Sequence, residues 1–262
     1  MSGEVTNTDP GYIKDGWLSK PNKRHWKKAQ HCRPLKDTPE ARESARLINE
    51  FTKKASDVLR KSAVNRRRER KKMMAANIIL VRDTGDHLPK IKPFYRKHEL
   101  KLGAFAQMPC EKAIARLADI KQILPKNSAC SYKRLAKDVA TQIVKLDGVY
   151  IHLKGPDEYG HSKDPKGKKK AIERIDKEFF NPLLASLDMK NTIIAVTSDH
   201  ATECRKGIHT NAPNPLLIYS PSMRPGHKKK FCEKECKKGQ LKTTIGKNLI
   251  KLLKNMQTQR NN

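Results

Sequence analysis

Two short apolar runs, each ending in an acid and a histidine, constrain this chain most. Residues 148–153 read as a strand and lead into Gly155-Pro156-Asp157-Glu158-Tyr159-Gly160-His161. Residues 192–198 read as a second strand and lead directly into Asp199-His200. Between them Ile172, Ile175, Phe179, Leu183 and Leu187 recur at helical spacing. A strand, an amphipathic helix and a second strand form the repeating unit of a parallel sheet, because a parallel crossover needs a dozen or more residues. Open α/β sheets carry their chemistry just beyond the carboxyl ends of their strands. Asp157, His161, Asp199 and His200 fall there, and His209 follows nine residues after His200.

The remaining chain supports the same fold class. Residues 1–36 read as irregular. Thr38-Pro39 caps a helix that runs to about Ser62 and is closed by a very basic stretch over 65–72. Residues 77–81 form a buried-type strand pattern, and 102–108 a second short one. Residues 111–124 read as a helix with Ile114, Leu117, Ile120 and Ile123 inward, and a further helix carries Leu135, Val139, Ile143 and Leu146. A polar loop over 160–170, a strand over 215–219 and a helix over 243–256 complete the pattern. From about residue 98 this is an α/β layered domain with a largely parallel sheet.

Composition sets the compartment and the partners. Lys and Arg number 57 against 27 Asp and Glu, a formal charge of +30. Such a charge draws in polyanions, nucleic acid among them, and anionic small substrates. The runs Arg66-Arg67-Arg68, Lys168-Lys169-Lys170 and Lys228-Lys229-Lys230 lie between periodic segments, as exposed turns do, and no base-stacking aromatic motif accompanies them. The six cysteines are mostly far apart, and no apolar run approaches the length of a bilayer span. A reducing cytoplasm with free thiols, and no membrane partner, is the expectation.

Imidazole and carboxylate together suit divalent metals of intermediate hardness. An isolated Asp-x-x-x-His is mostly a capped turn; five such residues, two groups of them behind strands, point to a metal site. Neighbours such as Asp199 and His200 point in different directions, which suits two metals or two sides of one. Two metals about 4 Å apart clamp both the attacking and the leaving oxygen of a phosphoryl transfer.

Specific stretches carry a family resemblance. They include residues 5–12 (Val-Thr-Asn-Thr-Asp-Pro-Gly-Tyr), Ala76-Asn77-Ile78-Ile79-Leu80-Val81-Arg82, residues 152–161, Ile172-Glu173-Arg174-Ile175-Asp176, Thr197-Ser198-Asp199-His200-Ala201-Thr202, and His209 with Asn214-Pro215-Leu216. In these, and collinearly over nearly its whole length, the chain resembles the archaeal-type cofactor-independent phosphoglycerate mutases of the alkaline phosphatase superfamily. The resemblance implies interconversion of 3-phosphoglycerate and 2-phosphoglycerate through a phosphoserine, with two divalent metals, manganese or zinc. By motif match Asp157, His161 and His209 hold one metal, and Asp199 and His200 hold the second. Lys97 matches the family's active-site lysine, and Arg82 is a candidate for holding substrate phosphate or carboxylate.

The resemblance also implies a boundary. Residues 1–97 match part of an inserted, substrate-closing domain, and 98–262 the carboxyl-terminal part of the metal domain. The family's serine nucleophile and one aspartate of the second metal site precede the matching region, and no serine here sits in a matching motif. The expectation is a mutase whose second site is incomplete in this chain and which is inactive alone, either with the missing segment supplied by a separate complementing chain or as a broken gene product. The alternative is a non-catalytic basic α/β scaffold that binds RNA or a ribonucleoprotein partner.

Overall fold

The computed structural model describes residues 1–16, 18–22, 28–123, 131–224, 226 and 230–258. Leu124 of the helix read over 111–124, and Lys228 and Lys229 of the third basic run, lie outside these. The chain divides into two units, Met1–Pro89 and Lys90–Asn262.

In the first unit β1 (Tyr12–Asp15) and β2 (Leu18–Pro21) form an antiparallel hairpin where the sequence reads as irregular. Helix α1 (Pro39–Arg60) starts as its sequence signals: the Thr38 hydroxyl accepts from Ala41 N at 3.2 Å and Pro39 occupies the first turn. The basic stretch is a separate helix, α2 (Ala63–Arg70), capped by Ser62. Asn65 fixes the chain that follows it, donating to Leu59 O and Ala76 O at 2.8 Å and accepting from Ala76 N at 2.9 Å. Val5, Cys32 and Ala45 form this unit's core, with Ile48 against them. Asn49 on α1 accepts from Cys32 N at 2.8 Å and donates to Cys32 O at 2.9 Å, which satisfies both backbone groups of a buried residue.

The expected strand at 77–81 is not one. Ile78, Ile79 and Leu80 are 38%, 45% and 39% exposed, so the run is not buried either. An extended run becomes a strand only when a neighbour meets its backbone groups. Among the described residues that happens at Val81, whose N donates to the Thr8 hydroxyl at 2.7 Å and whose O accepts from Thr8 N at 2.9 Å.

The second unit begins with α3 (Phe94–His98) and is built on a parallel sheet. Strand β3 (Leu102–Phe105) lies between β4 (Lys121–Gln122) and β5 (Gly148–Ile151), parallel to both. Gly103 permits the close layer above it, since a Cβ there would lie 2.7 Å from Leu146 Cδ1. Helix α4 (Pro109–Leu117) is shorter than its apolar pattern suggests. Asp119 adopts a left-handed backbone, φ 54°, which ends the helix and sends Ile123 into the core from the end of β4. Helix α5 (Tyr132–Ile143) packs Leu135, Ala136 and Val139 against Phe105 and Ile123.

The next stretch is helical where a loop was expected: α6 (Pro156–His161) and α7 (Pro165–Ile175), the latter capped by Asp164 and opened by Pro165. A π turn, Asp176–Phe180, joins α7 to α8 (Asn181–Ser186) without a break. Pro182 explains it, because proline has no N–H for the regular ladder and the wider turn absorbs the mismatch. Phe179 in that turn and Leu183 complete the core. Strand β6 (Ile194–Val196) pairs antiparallel with β9 (Leu217–Tyr219), not in the ladder with β5. Between them β7 (Ala201–Glu203) and β8 (Ile208–Thr210) form an antiparallel hairpin with no signal in the sequence pattern. A short α9 (Glu233–Cys236) and then α10 (Leu249–Thr258), entered through a 3-10 turn, end the described chain. No described helix is long and apolar enough to cross a membrane.

Two outcomes check these cores. Phe179→Ala removes a side chain from a residue only 2% exposed, and denaturant unfolding should show a loss of about 3–5 kcal/mol. Burial pushes the Cys32 thiol up, above any effect of its Thr6 contact or of Lys14. Iodoacetamide at neutral pH should therefore label exposed Cys110 in the native protein and reach Cys32 only on unfolding, as peptide mapping would show.

Candidate metal centre

The site begins where β5 ends. The ladder runs one residue further, with His152 N donating to Phe105 O at 3.0 Å. The chain then turns at Gly155, whose φ of 128° is one that residues with a Cβ rarely adopt, and Pro156 opens α6. Asp157 and His161 stand one turn apart on α6, so they share a face. Asp199 and His200 occupy the connection between β6 and β7. The β7–β8 hairpin sets Thr202 directly opposite His209, which delivers His209 to the same place.

Asp157, His161 and His209 converge, with one ligand atom from each within 4.8 Å of the others. His161 Nε2 lies 3.5 Å from Asp157 Oδ2 and 3.1 Å from His209 Nε2. His209 Nε2 is 3.8 Å from Asp157 Oδ1. His161 Nδ1 is 2.9 Å from the Gly207 carbonyl. A carbonyl only accepts, so Nδ1 carries the proton and the Nε2 lone pair turns toward Asp157 and His209. Two imidazole nitrogens and a carboxylate on one locus suit zinc or a comparable divalent ion, whose ligand bonds of about 2.1 Å need donors about this far apart. His200 adjoins the set. Its Nε2 is 3.5 Å from Asp199 Oδ2, its Nδ1 3.1 Å from the Thr202 hydroxyl, and its ring lies 3.8 Å from that of His209.

The surroundings keep the donors in their metal-binding states. Partial burial pushes the Asp157 carboxyl up, but the hydrogen bond from Thr202 and the neighbouring His161, His200 and His209 outweigh it and hold the pKa below the ordinary value. The Thr202 hydroxyl donates to Asp157 Oδ1 at 2.6 Å. Desolvation, followed by the nearby His200, pulls His209 down and favours its neutral form. Gly160 allows α6 to sit this close to β7, since a Cβ there would fall 2.8 Å from Thr202 Cγ2. Lys168 on α7 donates to Thr202 O at 2.9 Å and fixes the strand from the other side.

The other two sequence candidates belong to different units. Lys97 is exposed on α3, and no hydrogen bond or ion pair links it to the five ligand candidates. Arg82 belongs to the first unit, with its guanidinium 4.0 Å over the Tyr12 ring. Sequence reasoning missed three residues. Thr202 follows His200 by two positions and carried no signal of its own. His152 opens the most specific motif but reads as a strand residue. Glu111 on α4 lies 2.6 Å from His152 Nδ1, a contact with no trace in local sequence.

Comparison with known proteins finds relatives along nearly the whole chain. Residues 106–256 match the model of the metalloenzyme superfamily, and residues 1–65 that of 2,3-bisphosphoglycerate-independent phosphoglycerate mutase. A protein of that second name from Aeropyrum pernix is 37% identical over 94% of this chain and 59% of its own length. One from Archaeoglobus fulgidus is 32% identical over 96% of this chain and 59% of its own. The structure of the PH0037 protein from Pyrococcus horikoshii superposes with a TM-score of 0.68 at 28% identity, covering 83% of this chain and 58% of that one. The chain thus spans about 59% of the length of the curated relatives it matches.

Thr202→Val should raise the Asp157 pKa, because it deletes the hydrogen bond that favours the carboxylate. The side-chain carboxyl chemical shift of Asp157, followed against pH in the metal-free protein, reads this directly. With its folded value depressed, Asp157 stabilises the fold above the unfolded carboxylate pKa and ceases to as pH falls through the lower folded value. That acid-side contribution should shrink in the variant.

Proposed function

The chain belongs to the metalloenzyme superfamily, and we propose that it forms the metal-bearing part of a phosphoglycerate mutase that interconverts 3-phosphoglycerate and 2-phosphoglycerate. The observation that carries this is the convergence of Asp157, His161 and His209 on one locus beside Asp199 and His200. The names of its relatives supply the reaction. None of the relatives cited above is named for binding nucleic acid, so the RNA-scaffold reading gains no support from them.

In this reading Asp157, His161 and His209 hold one divalent ion, manganese or zinc, while Asp199 and His200 hold a second. Such a pair supplies a nucleophile at neutral pH and neutralises phosphoryl oxygens. The chain's own residues prepare the site. Gly207 O fixes the His161 tautomer, and Thr202 keeps Asp157 ionised beside the depressed imidazole of His209. Arg82 serves as a guanidinium for substrate phosphate or carboxylate, and Lys97 as the lysine of the reaction. The serine that accepts the phosphoryl group comes from a segment outside these 262 residues, in the same polypeptide or a complementing chain. The five described cysteines are free thiols, which supports the cytoplasm as the place of action.

The test mixes this chain with the separately expressed amino-terminal segment of the Aeropyrum pernix relative, with manganese, and follows 2-phosphoglycerate formation through a coupled enolase assay. Turnover is expected in the mixture, stopped by chelation and restored by manganese. Asp157→Ala should lower it by about 100-fold or more, as loss of a ligand lowers metal occupancy. Metal-independent turnover, or full activity in Asp157→Ala, contradicts the proposal.

A further inference from the structure

Each of the two site carboxylates has two imidazole Nε2 atoms at nearly the same range. Asp157 has His161 at 3.5 Å and His209 at 3.8 Å. Asp199 has His200 at 3.5 Å and His152 at 3.7 Å. Both of the latter contacts reach one oxygen, Asp199 Oδ2. These separations exceed the 2.7–3.2 Å of a hydrogen bond. They are close to the roughly 3.4 Å edge of a tetrahedron built on metal–ligand bonds of about 2.1 Å.

The outer contacts of these rings follow one pattern as well. A metal-bound histidine almost always gives its second ring nitrogen to a carboxylate, carbonyl or similar group, which fixes tautomer and ring plane. His161 Nδ1 has the Gly207 carbonyl, and His200 Nδ1 has the Thr202 hydroxyl. His152 Nδ1 has the Glu111 carboxylate at 2.6 Å. That carboxylate lies off the ring N–H axis, so the contact is a close approach without an in-line hydrogen bond. It remains the acceptor at hand for a buried nitrogen. With the proton on Nδ1, the Nε2 lone pair of His152 faces Asp199 Oδ2, acceptor to acceptor. That juxtaposition is unfavourable until a cation lies between them.

The support for His152 is built into the fold. Glu111 stands in the first turn of α4, where its other oxygen accepts from Met108 N at 3.3 Å, so the helix start orients the carboxylate. Lys154 Nζ sits 3.3 Å from the oxygen that faces His152. His152 is itself held by its backbone bond to Phe105 on the central strand. Its side chain is 16% exposed and that of Glu111 is 20%, far less than the 51% of Asp199.

We propose that His152, oriented by Glu111, is a metal ligand that joins Asp199 and His200, so that this chain carries a second divalent-cation site from its own residues. The proposal rests on the metal reading of the Asp157 locus and adds a ligand to the neighbouring one. His152, Asp199 and His200 do not converge as Asp157, His161 and His209 do: each ring nitrogen reaches Asp199 Oδ2, and the site closes when His152 and His200 turn toward each other around that oxygen.

The test titrates the metal-free 262-residue chain with cobalt(II), following ligand-field absorption, and takes stoichiometry from calorimetry. Wild type should bind two equivalents. H152Q should bind one, with the Asp157 site unchanged, and D157A should bind the other. Glu111→Gln keeps His152 but weakens its support, so it should lower affinity at the Asp199 site by about 10–100-fold and leave the first site alone. Circular dichroism of each variant guards against loss of fold, and the conservative H152Q and E111Q exchanges serve where an alanine would not fold. Two equivalents bound by H152Q with wild-type affinities would sink the proposal. So would a single wild-type equivalent that survives H152Q and vanishes in D157A, an outcome that spares the Asp157 site. No binding by wild type overturns the metal reading itself.

Discussion

The 2.6 Å hydrogen bond from Thr202 to Asp157 is the join on which the site depends. Asp157 stands on α6, reached from the parallel sheet through Gly155. Thr202 stands on β7, paired with the strand that carries His209. One bond therefore registers the helix against the hairpin and sets the spacing between His161 and His209. It needs Gly160, because any Cβ there would push Thr202 away. It also explains an ionised carboxylate among histidines, since an oxygen that accepts a short hydrogen bond is stabilised as the anion.

The charge of the chain bears on this locally more than globally. With a net +30, an exposed anion is well compensated wherever it lies. At the site the support is specific: the Thr202 hydroxyl beside Asp157, and Lys154 beside Glu111. Elsewhere many of the ion pairs are exposed helical ones, such as Arg46 with Glu43 and Glu50, that contribute little to stability. The chain spans 59% of the length of its relatives, and the apolar run 78–80 is exposed with no strand beside it among the described residues. The first unit holds together through caps and side-chain-to-backbone bonds from Asn49, Asn65 and Thr8 around a small core.

Much of the fold was legible because its signals are local. Thr38-Pro39 announces α1, and the apolar positions of α5 and of the α7–α8 run repeat at helical spacing. The misreadings share one cause. Asp119 ends α4 by a backbone conformation that an apolar pattern does not encode, and Pro182 converts a regular helix into one with a π turn. Residues 77–81 have strand chemistry but lack a neighbour, and pairing is never a property of one segment. Ile194–Val196 went the other way: a strand as expected, but joined antiparallel to Leu217–Tyr219.

The sequence by itself determined which side chains could form a metal centre. An acid and a histidine four apart behind one strand, a second pair behind another and a later histidine can be read from residue types and spacing. Only the tertiary structure decided which of them meet. Asp157, His161 and His209 converge because β7 and β8 pair in a register that sets His209 opposite Thr202, and that register depends on partners far apart in the chain. Glu111 and His152 were invisible for the same reason: they lie 41 residues apart (152 − 111), and α4 meets the end of β5 only once the parallel sheet has formed. The residues behind strands marked the chemistry, and the long-range pairing of helices and hairpins chose its geometry.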